Sequence, residues 1–377
     1  MESNLTRSDA YWVLNCLPGI GPVSLNLLLE RFNGDPAQVL GADRRAWSAV
    51  KGLRRPAIDS LANSRSLFDL NREKDRAARM GIAFIDRDQE RYPSLLREIH
   101  DPPIGFYAIG NCDFKRTCVS IVGSRRCTLY GRGIAKEFAR ELARKGICVV
   151  SGLARGIDTA AHQGALEAES GETLAVLGCG LDIIYPPENI DLYREIGDRG
   201  AVISEFPFGR KADRQTFPMR NRLVSGLSRA VVVVESDEAG GSMITARFAG
   251  EQGRTVCAVP GRIDQKTSRG CNRLIRDGAL LLSSVDDLLG ELEYEARMPQ
   301  LNISYANERD SDIEDLDSAE KRILRIFEGG EALEADRIAS ILEDAPSEIA
   351  SRLMMLELKG YIAKRMDGCF EVVSNYR

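Results

Sequence analysis

Residues 210–222 read RKADRQTFPMRNR and hold Arg210, Lys211, Arg214, Arg220 and Arg222 against Asp213 alone, a charge of +4 within a chain whose formal total is −5. Guanidinium groups gathered at this density suit phosphates, which they grip by short, charge-assisted and often bidentate hydrogen bonds. Phe217 stands among them, and an aromatic ring beside basic groups suits an unpaired base, so the pattern points to single-stranded nucleic acid. The same side chains could be merely solvated, with Phe217 anchoring the segment to a core. Five basic residues with an aromatic and a proline in what reads as a loop, and not along a helix face, favour a bound polyanion.

Three further segments pair small residues with groups that bind anions. Gly123, Ser124, Arg125 and Arg126 follow an apolar run directly, where a dinucleotide-binding sheet would place G-x-G-x-x-G. Only the first glycine is present, so the segment is read as gripping phosphate with side chains and not as cradling a dinucleotide. The bland alternative is that Arg125 and Arg126 pair with acids such as Glu205 or Glu235. Residues 151–158, SGLARGID, open a helix that contains His162; Gly156 permits a tight turn, and Arg155 could meet a phosphate at the helix N-terminus. Asp158 and His162 are spaced as an acid–base or metal pair could be, but with His100 the only other histidine and no carboxylate cluster nearby in sequence, a structural, hydrogen-bonded role fits better. Gly240, Gly241 and Ser242 precede another helical pattern, which suits either an anion at its start or a sharp turn.

Several chemistries are disfavoured. No Gly-Lys dipeptide occurs, so there is no Walker A loop. Nine cysteines are scattered, odd in number and never spaced C-x-x-C, which speaks against a disulfide framework and a zinc site. No metal or other cofactor is expected. The N-terminus lacks a basic stretch followed by an apolar run, and no apolar window reaches spanning length, so a cytoplasmic protein with no membrane contact is expected.

Those segments must be held in place by a scaffold, and 377 residues with 44% apolar and 28% charged content allow two or three globular domains. Short β-branched runs at 118–122, 147–150, 173–177, 201–204, 230–235 and 255–259 alternate with amphipathic helical patterns, which predicts an α/β fold with a mostly parallel, doubly wound, Rossmann-like sheet. In the first helix, 130–144, the residues Ile134, Phe138, Ala139 and Leu142 form one stripe. Ligands of such sheets sit beyond the carboxyl ends of the strands, where the loops named above fall.

The N-terminal part, 1–85, reads as a small helical domain. It contains LPGIGPVSLNLLLERF at 17–32, a helix-hairpin-helix pattern with apolar spacing at Val23, Leu27, Leu28 and Phe32, and a possible partner hairpin at 50–55. The turn could offer backbone amides to a phosphate or serve packing alone. Residues 82–85 read as a short strand and 91–113, rich in proline, as a connector into the sheet domain of 86–290. Residues 291–317 hold nine acids against Arg297 and Arg309 and are read as an acidic linker. From 318 three helical patterns (319–327, 335–341 and 347–359) and a hairpin at 361–373 turning at Asp367-Gly368 suggest a winged-helix-like module. Its acidic excess suits a protein partner better than DNA.

Taken in order, VGSRRCTLYG at 122–131, SGLARGIDTAAHQGAL at 151–166, GCGLDIIYPPEN at 178–189, SEFPFG at 204–209, FPMRNRLVSGLS at 217–228, GGSMITA at 240–246 and PGRIDQKTSRGCNRLIRDGA at 260–279 resemble the DprA (Smf) family of bacterial DNA-processing proteins. The resemblance implies a non-catalytic protein with an extended Rossmann fold that forms homodimers, binds and protects single-stranded DNA during natural transformation, and helps load the RecA recombinase past single-strand-binding protein. Carried over by position, it implies DNA contacts at Arg125 in the G-S-R loop, at Arg214 and Phe217, and at Arg220, Asn221 and Arg222. With the neighbouring loop residues, the expected DNA-binding set is Gly123, Ser124, Arg125, Arg126, Arg155, Gly156, Lys211, Arg214, Phe217, Arg220, Asn221, Arg222 and Ser242, with no catalytic residue. The competing class is a nucleotide-processing enzyme resembling phosphoribohydrolases, against which the absence of Pro-Gly-Gly counts.

Overall fold

The structure, a computed structural model, describes residues 5–297, 316–327, 333–342, 344–359, 361–364 and 369–372. They fall into two compact units, divided at residues 298 and 299.

The first unit is built on a nine-stranded sheet. In chain order its strands are β1 (Ala83–Asp86), β2 (Gly105–Gly110), β3 (Cys118–Val122), β4 (Cys148–Ser151), β5 (Thr173–Val176), β6 (Ala201–Ser204), β7 (Ala230–Val233), β8 (Thr255–Ala258) and β9 (Leu280–Leu281). They lie side by side as β1-β2-β6-β5-β4-β3-β7-β8-β9. From β6 to β9 all neighbours are parallel, and β1 and β2 extend the edge antiparallel. The chain starts the parallel part at β3, steps outward to β6, then returns to place β7 on the other side of β3, so the order reverses between β3 and β7. Helices α1 (Leu129–Arg144), α2 (Ile157–Leu166), α3 (Ile190–Arg199), α4 (Thr216–Gly226), α5 (Gly241–Glu251), α6 (Arg269–Arg276) and α7 (Val285–Arg297) connect or follow the strands.

Both faces of the parallel strands are covered, which is why they read as apolar runs without alternating polar residues. The two-residue period still decides which neighbour each side chain meets. Val119 and Ile121 pack with Phe138, Ala139 and Leu142 of α1 and Ala160 and Ala161 of α2; Cys118 and Val122 pack on the opposite face with Leu223 and Val224 of α4 and Ala246 and Ala249 of α5. Ile134, expected on the buried stripe of α1, is only partly buried.

Two expectations need correction here. The supposed connector at 91–113 contains β2, a full sheet strand paired with both β1 and β6. In the N-terminal helix Pro22–Arg31 the buried residues are Leu25 and Leu28, while Val23, expected in the apolar stripe, is 59% exposed. The N-terminal helices share one core with the sheet: Trp12 stacks on Phe84 of β1 at 4.9 Å and meets Tyr107 of β2 edge-on. Trp12 Nε1 also donates to the Tyr107 hydroxyl (2.9 Å), which in turn donates to Glu73.

Residues 291–297, expected in the acidic linker, continue α7; the rest of that stretch to 315 lies outside the described residues. The second unit holds helices Ser318–Ile326, Ala335–Leu342 and Pro346–Leu358 and an antiparallel pair, β10 (Ile362–Lys364) with β11 (Phe370–Val372), around Ile323, Ile338, Ile349, Leu353 and Phe370. The expected Asp367-Gly368 turn lies outside the described residues. Arg352 pairs with Asp317 and Lys359 with Glu320, both at 2.8 Å, so two basic groups of the third-helix region are engaged within the module itself. Among the described residues no helix is long and apolar enough to cross a membrane.

Candidate nucleic-acid interface

A cavity of about 500 Å³ opens where the strand order reverses, lined by the loops after β3, β4 and β7 and by α4 and α5. This is where open parallel sheets bind ligands, because the loops from adjacent strands part in opposite directions and leave a crevice. Backbone bonds fix the loops to one another: Ser124 N–H donates to Glu235 O (2.7 Å) and Ile157 N–H to Ser124 O (3.2 Å). Gly156 sits at φ +79°, and a Cβ there would run into the carbonyl of Ser124, so the approach of the two loops requires glycine.

The cationic segment forms one wall, but not as a loop. From Thr216 it is helical, since Pro218 falls in the first turn, where its missing N–H has no carbonyl to meet. Asp213, the segment's one acid, accepts the amides of Gln215 (2.8 Å) and Thr216 (2.9 Å), which holds its carboxyl below the usual range, and it also pairs with Arg210. Helical spacing then brings Phe217, Arg220 and Asn221 to one face, and that face lines the cavity together with Arg214.

Opposite them stand Gly123, Ser124, Arg125 and Arg126, and at the third side Ser242. The Arg125 guanidinium lies 4.7 Å from the centre of the Phe217 ring, and the Tyr185 ring is 5.9 Å from it on an inclined plane. Neither Arg125 nor Arg126 makes an ion pair among the described residues. The acids that could have claimed them are engaged elsewhere: Glu235 accepts the Thr128 amide and hydroxyl (2.8 and 2.6 Å), and Glu205 pairs with Arg222. Helix α5 begins at Gly241 with no side chain capping its first turn, so its amide end faces the cavity as an electropositive group.

Arg220 is the floor of the site. It is 5% exposed, its nearest carboxylate, Asp158, is 3.9 Å away, and its Nε has no hydrogen-bond partner. Burial pulls its pKa below the ordinary guanidinium value, only partly offset by Asp158. A Cβ at Gly152 would coincide with its Nη1, so glycine there makes the room for the guanidinium. A buried cation short of acceptors is costly until an anion supplies them.

Asp158 and His162 are engaged with backbone, the structural role expected of them in preference to acid–base chemistry. Asp158 accepts the amides of Gly152 (3.1 Å) and Ala154, while His162 Nε2 accepts that of Leu153. The Thr173 hydroxyl donates to Val149 O (2.6 Å), so His162 Nδ1, 2.7 Å away, must be its donor. The imidazole is thus neutral and protonated at Nδ1. Burial, with Arg220 adding to it, pushes its pKa down to about 3.

Four of the expected site residues are not brought to the cavity wall. Arg222 is 3% exposed on the other side of α4, with Nη2 2.5 and 2.7 Å from the two Glu205 oxygens and Nε 3.1 Å from Asp101. Two residues apart on a helix point roughly 200° apart, so Arg220 and Arg222 cannot share a face. Arg155 pairs on the surface with Glu188 through both Nε and Nη2. Lys211 precedes the helix and lies outside the cavity, and Gly156 supports the Ser124 loop from behind. Ser242 reaches the wall, but its hydroxyl donates to Ser236 (2.7 Å). The expected set left out Ser236, Asp237 and Thr245, which also line the cavity; their place just past β7 and in the first turns of α5 was the available signal.

Sequence comparison places this geometry among known proteins. The family model described as DNA recombination-mediator protein A matches residues 83–293. Protein Smf of Synechocystis is 32% identical over 94% of this chain and 96% of its own length, and DNA processing protein DprA of Bacillus subtilis 35% identical over 75% and 93%. Among solved structures, DprA from Streptococcus pneumoniae matches with a TM-score of 0.66 and 35% identity, over 76% of this chain and 98% of that one. DNA processing protein A from Helicobacter pylori, whose structure gave insight into its single-stranded DNA binding mode, matches with a TM-score of 0.51 and 31% identity, over 57% and 96%. The motifs that line the cavity, the doubly wound sheet and these relatives agree, and the chain belongs to the DNA recombination-mediator protein A family.

Proposed function

We propose that the protein is a non-catalytic, single-stranded DNA-binding recombination mediator. In this reading Arg125, Arg126, Arg214 and Arg220 meet backbone phosphates, and Phe217, freed from Arg125 as that side chain turns to a phosphate, offers its ring to a base. The observation that carries the reading is Arg220, a buried guanidinium at the floor of an electropositive cavity with fewer acceptors than donors. The single-stranded DNA binding mode studied in the Helicobacter pylori relative supports the choice of polyanion. Loading of a RecA-type recombinase, protection of incoming strands from single-strand-binding protein and nucleases, action in the cytoplasm and a homodimer built on the sheet unit belong to the same proposal. The winged-helix-like module is assigned a protein partner, because Arg352 and Lys359 are already paired.

A salt titration of oligothymidylate binding tests it. Arg125→Ala is expected to weaken binding about 10- to 100-fold at low salt, the range for a lost charge-assisted hydrogen bond, and to reduce the salt slope by about 0.7 for the lost phosphate contact. Unchanged affinity and slope would remove the cavity from the binding surface.

A further inference from the structure

The same rim of the sheet carries a second cavity, of about 780 Å³, to which the reading above gives no occupant. The two cavities share a wall. Along the loop after β3, Ser124 to Arg126 line the first and Thr128 to Tyr130 the second; after β7, Ser236 lines the first and Glu235 the second. The far side of the second cavity is formed by the loop after β8, through Pro260, Gly261 and Arg262.

Its chemistry differs from that of its neighbour. Leu129 is 85% exposed and Tyr130 58% exposed, two large apolar groups side by side that gain by being covered. The Glu235 carboxylate at the back, fixed by Thr128, repels a phosphate but not a neutral ring. A flat, uncharged heterocycle fits both features, since the phenol ring of Tyr130 offers a stacking face and the polar groups behind it can meet ring substituents. Arg126, on the shared wall and outside any ion pair among the described residues, stands where a phosphate joining an occupant of one cavity to an occupant of the other would pass.

We propose that the second cavity receives an unpaired nucleobase of the strand whose phosphates occupy the first, with Tyr130 as its stacking platform and Leu129 and Pro260 as apolar walls. The proposal rests on the single-stranded DNA reading, and the continuity of the two linings together with the positive charge between them selects a base over a second copy of this chain.

The test is fluorescence anisotropy of the full chain with an oligothymidylate of about ten residues, and with versions carrying one abasic position moved along it. Tyr130→Ala is expected to weaken binding roughly tenfold, the effect of one lost base stack, with the salt slope unchanged, while Tyr130→Phe binds as wild type. One abasic position should cost the wild type a similar factor and cost Tyr130→Ala nothing more. The proposal is overturned if Arg125→Ala weakens binding but Tyr130→Ala does not, or if no abasic position is redundant with Tyr130→Ala. It is also overturned if Tyr130→Ala lowers the chain's mass in light scattering without DNA, which assigns the face to a second copy. Wild-type binding by Arg125→Ala would instead sink the single-stranded DNA reading itself. Should Tyr130→Ala fail to fold, the abasic scan on wild type and Tyr130→Phe decides, and a flat scan overturns the proposal.

Discussion

Arg220 and Arg222 stand two residues apart on one helix, are almost equally buried, and do opposite things. Arg222 faces the interior, where it holds two close carboxylates, Glu205 at 2.5 Å and Asp101 at 3.1 Å, although its Nη1 has no hydrogen-bond partner; Arg220 faces the cavity, and among the described residues the one carboxylate within ion-pair reach of it is Asp158 at 3.9 Å. Residue type and burial do not separate a structural cation from a binding one. The supply of counter-charge does, because a guanidinium held by two close carboxylates is already neutralised, and one with a single, more distant carboxylate is stabilised by whatever anion arrives.

Substitutions at the two positions should therefore separate stability from binding. Arg222→Ala has the largest expected effect on folding: it strands Glu205 in the interior and is expected to cost about 3–5 kcal/mol in urea unfolding, while the folded fraction keeps its affinity for oligothymidylate. Arg220→Ala should reverse the pattern, with a 10- to 100-fold loss of affinity in anisotropy and a smaller shift of the unfolding midpoint. Equal effects of the two on stability and on binding would erase the distinction.

Beneath Arg220, His162 sets a dependence on pH. Its imidazole titrates at about 3 when folded and near 6.5 when unfolded, so between those values the unfolded chain binds a proton that the folded one refuses. The contribution of this group is complete above about pH 6.5 and is lost as pH falls toward 3, with a slope of up to about 1.4 kcal/mol per unit. The difference between the stability curves of wild type and His162→Gln isolates it from the carboxyls nearby; a difference that does not vary with pH in that window contradicts the neutral, Nδ1-protonated ring. The smallest effect is expected at Arg155, whose pair with Glu188 is exposed and screened by solvent. Arg155→Ala should leave unfolding almost unchanged and weaken DNA binding far less than Arg125→Ala.

The sheet was legible because its strands are buried on both faces: 118–122 and 201–204 match β3 and β6 at both ends, since their residues are apolar apart from Ser120 and Ser204, small hydroxyls satisfied internally by Val224 O and Cys179 O. β2 was hidden behind Pro102 and Pro103, which read as connector, and its pairing with β6 depends on a partner about a hundred residues away. The cavity residues were legible as chemistry in Arg125, Arg214, Phe217 and Asn221, but the sense of Arg222 was not. Reading 210–222 as a loop let every basic group reach one site, whereas the helix from Thr216 assigns Arg220 and Arg222 to opposite sides. Pro218 invited that error, since proline breaks a helix interior but not a first turn. Pairing of Arg155 with Glu188 and of Arg222 with Glu205 joins segments separated by 33 and 17 positions, and spacing alone does not reveal such contacts.

The most direct test is a crystal structure of the protein with a short oligothymidylate. The account predicts a phosphate between Arg125 and Arg220 at the β3–β7 reversal, with Arg125 lifted from the Phe217 ring. A strand bound elsewhere, with Arg125 still lying over Phe217 and no anion within reach of Arg220, would contradict it.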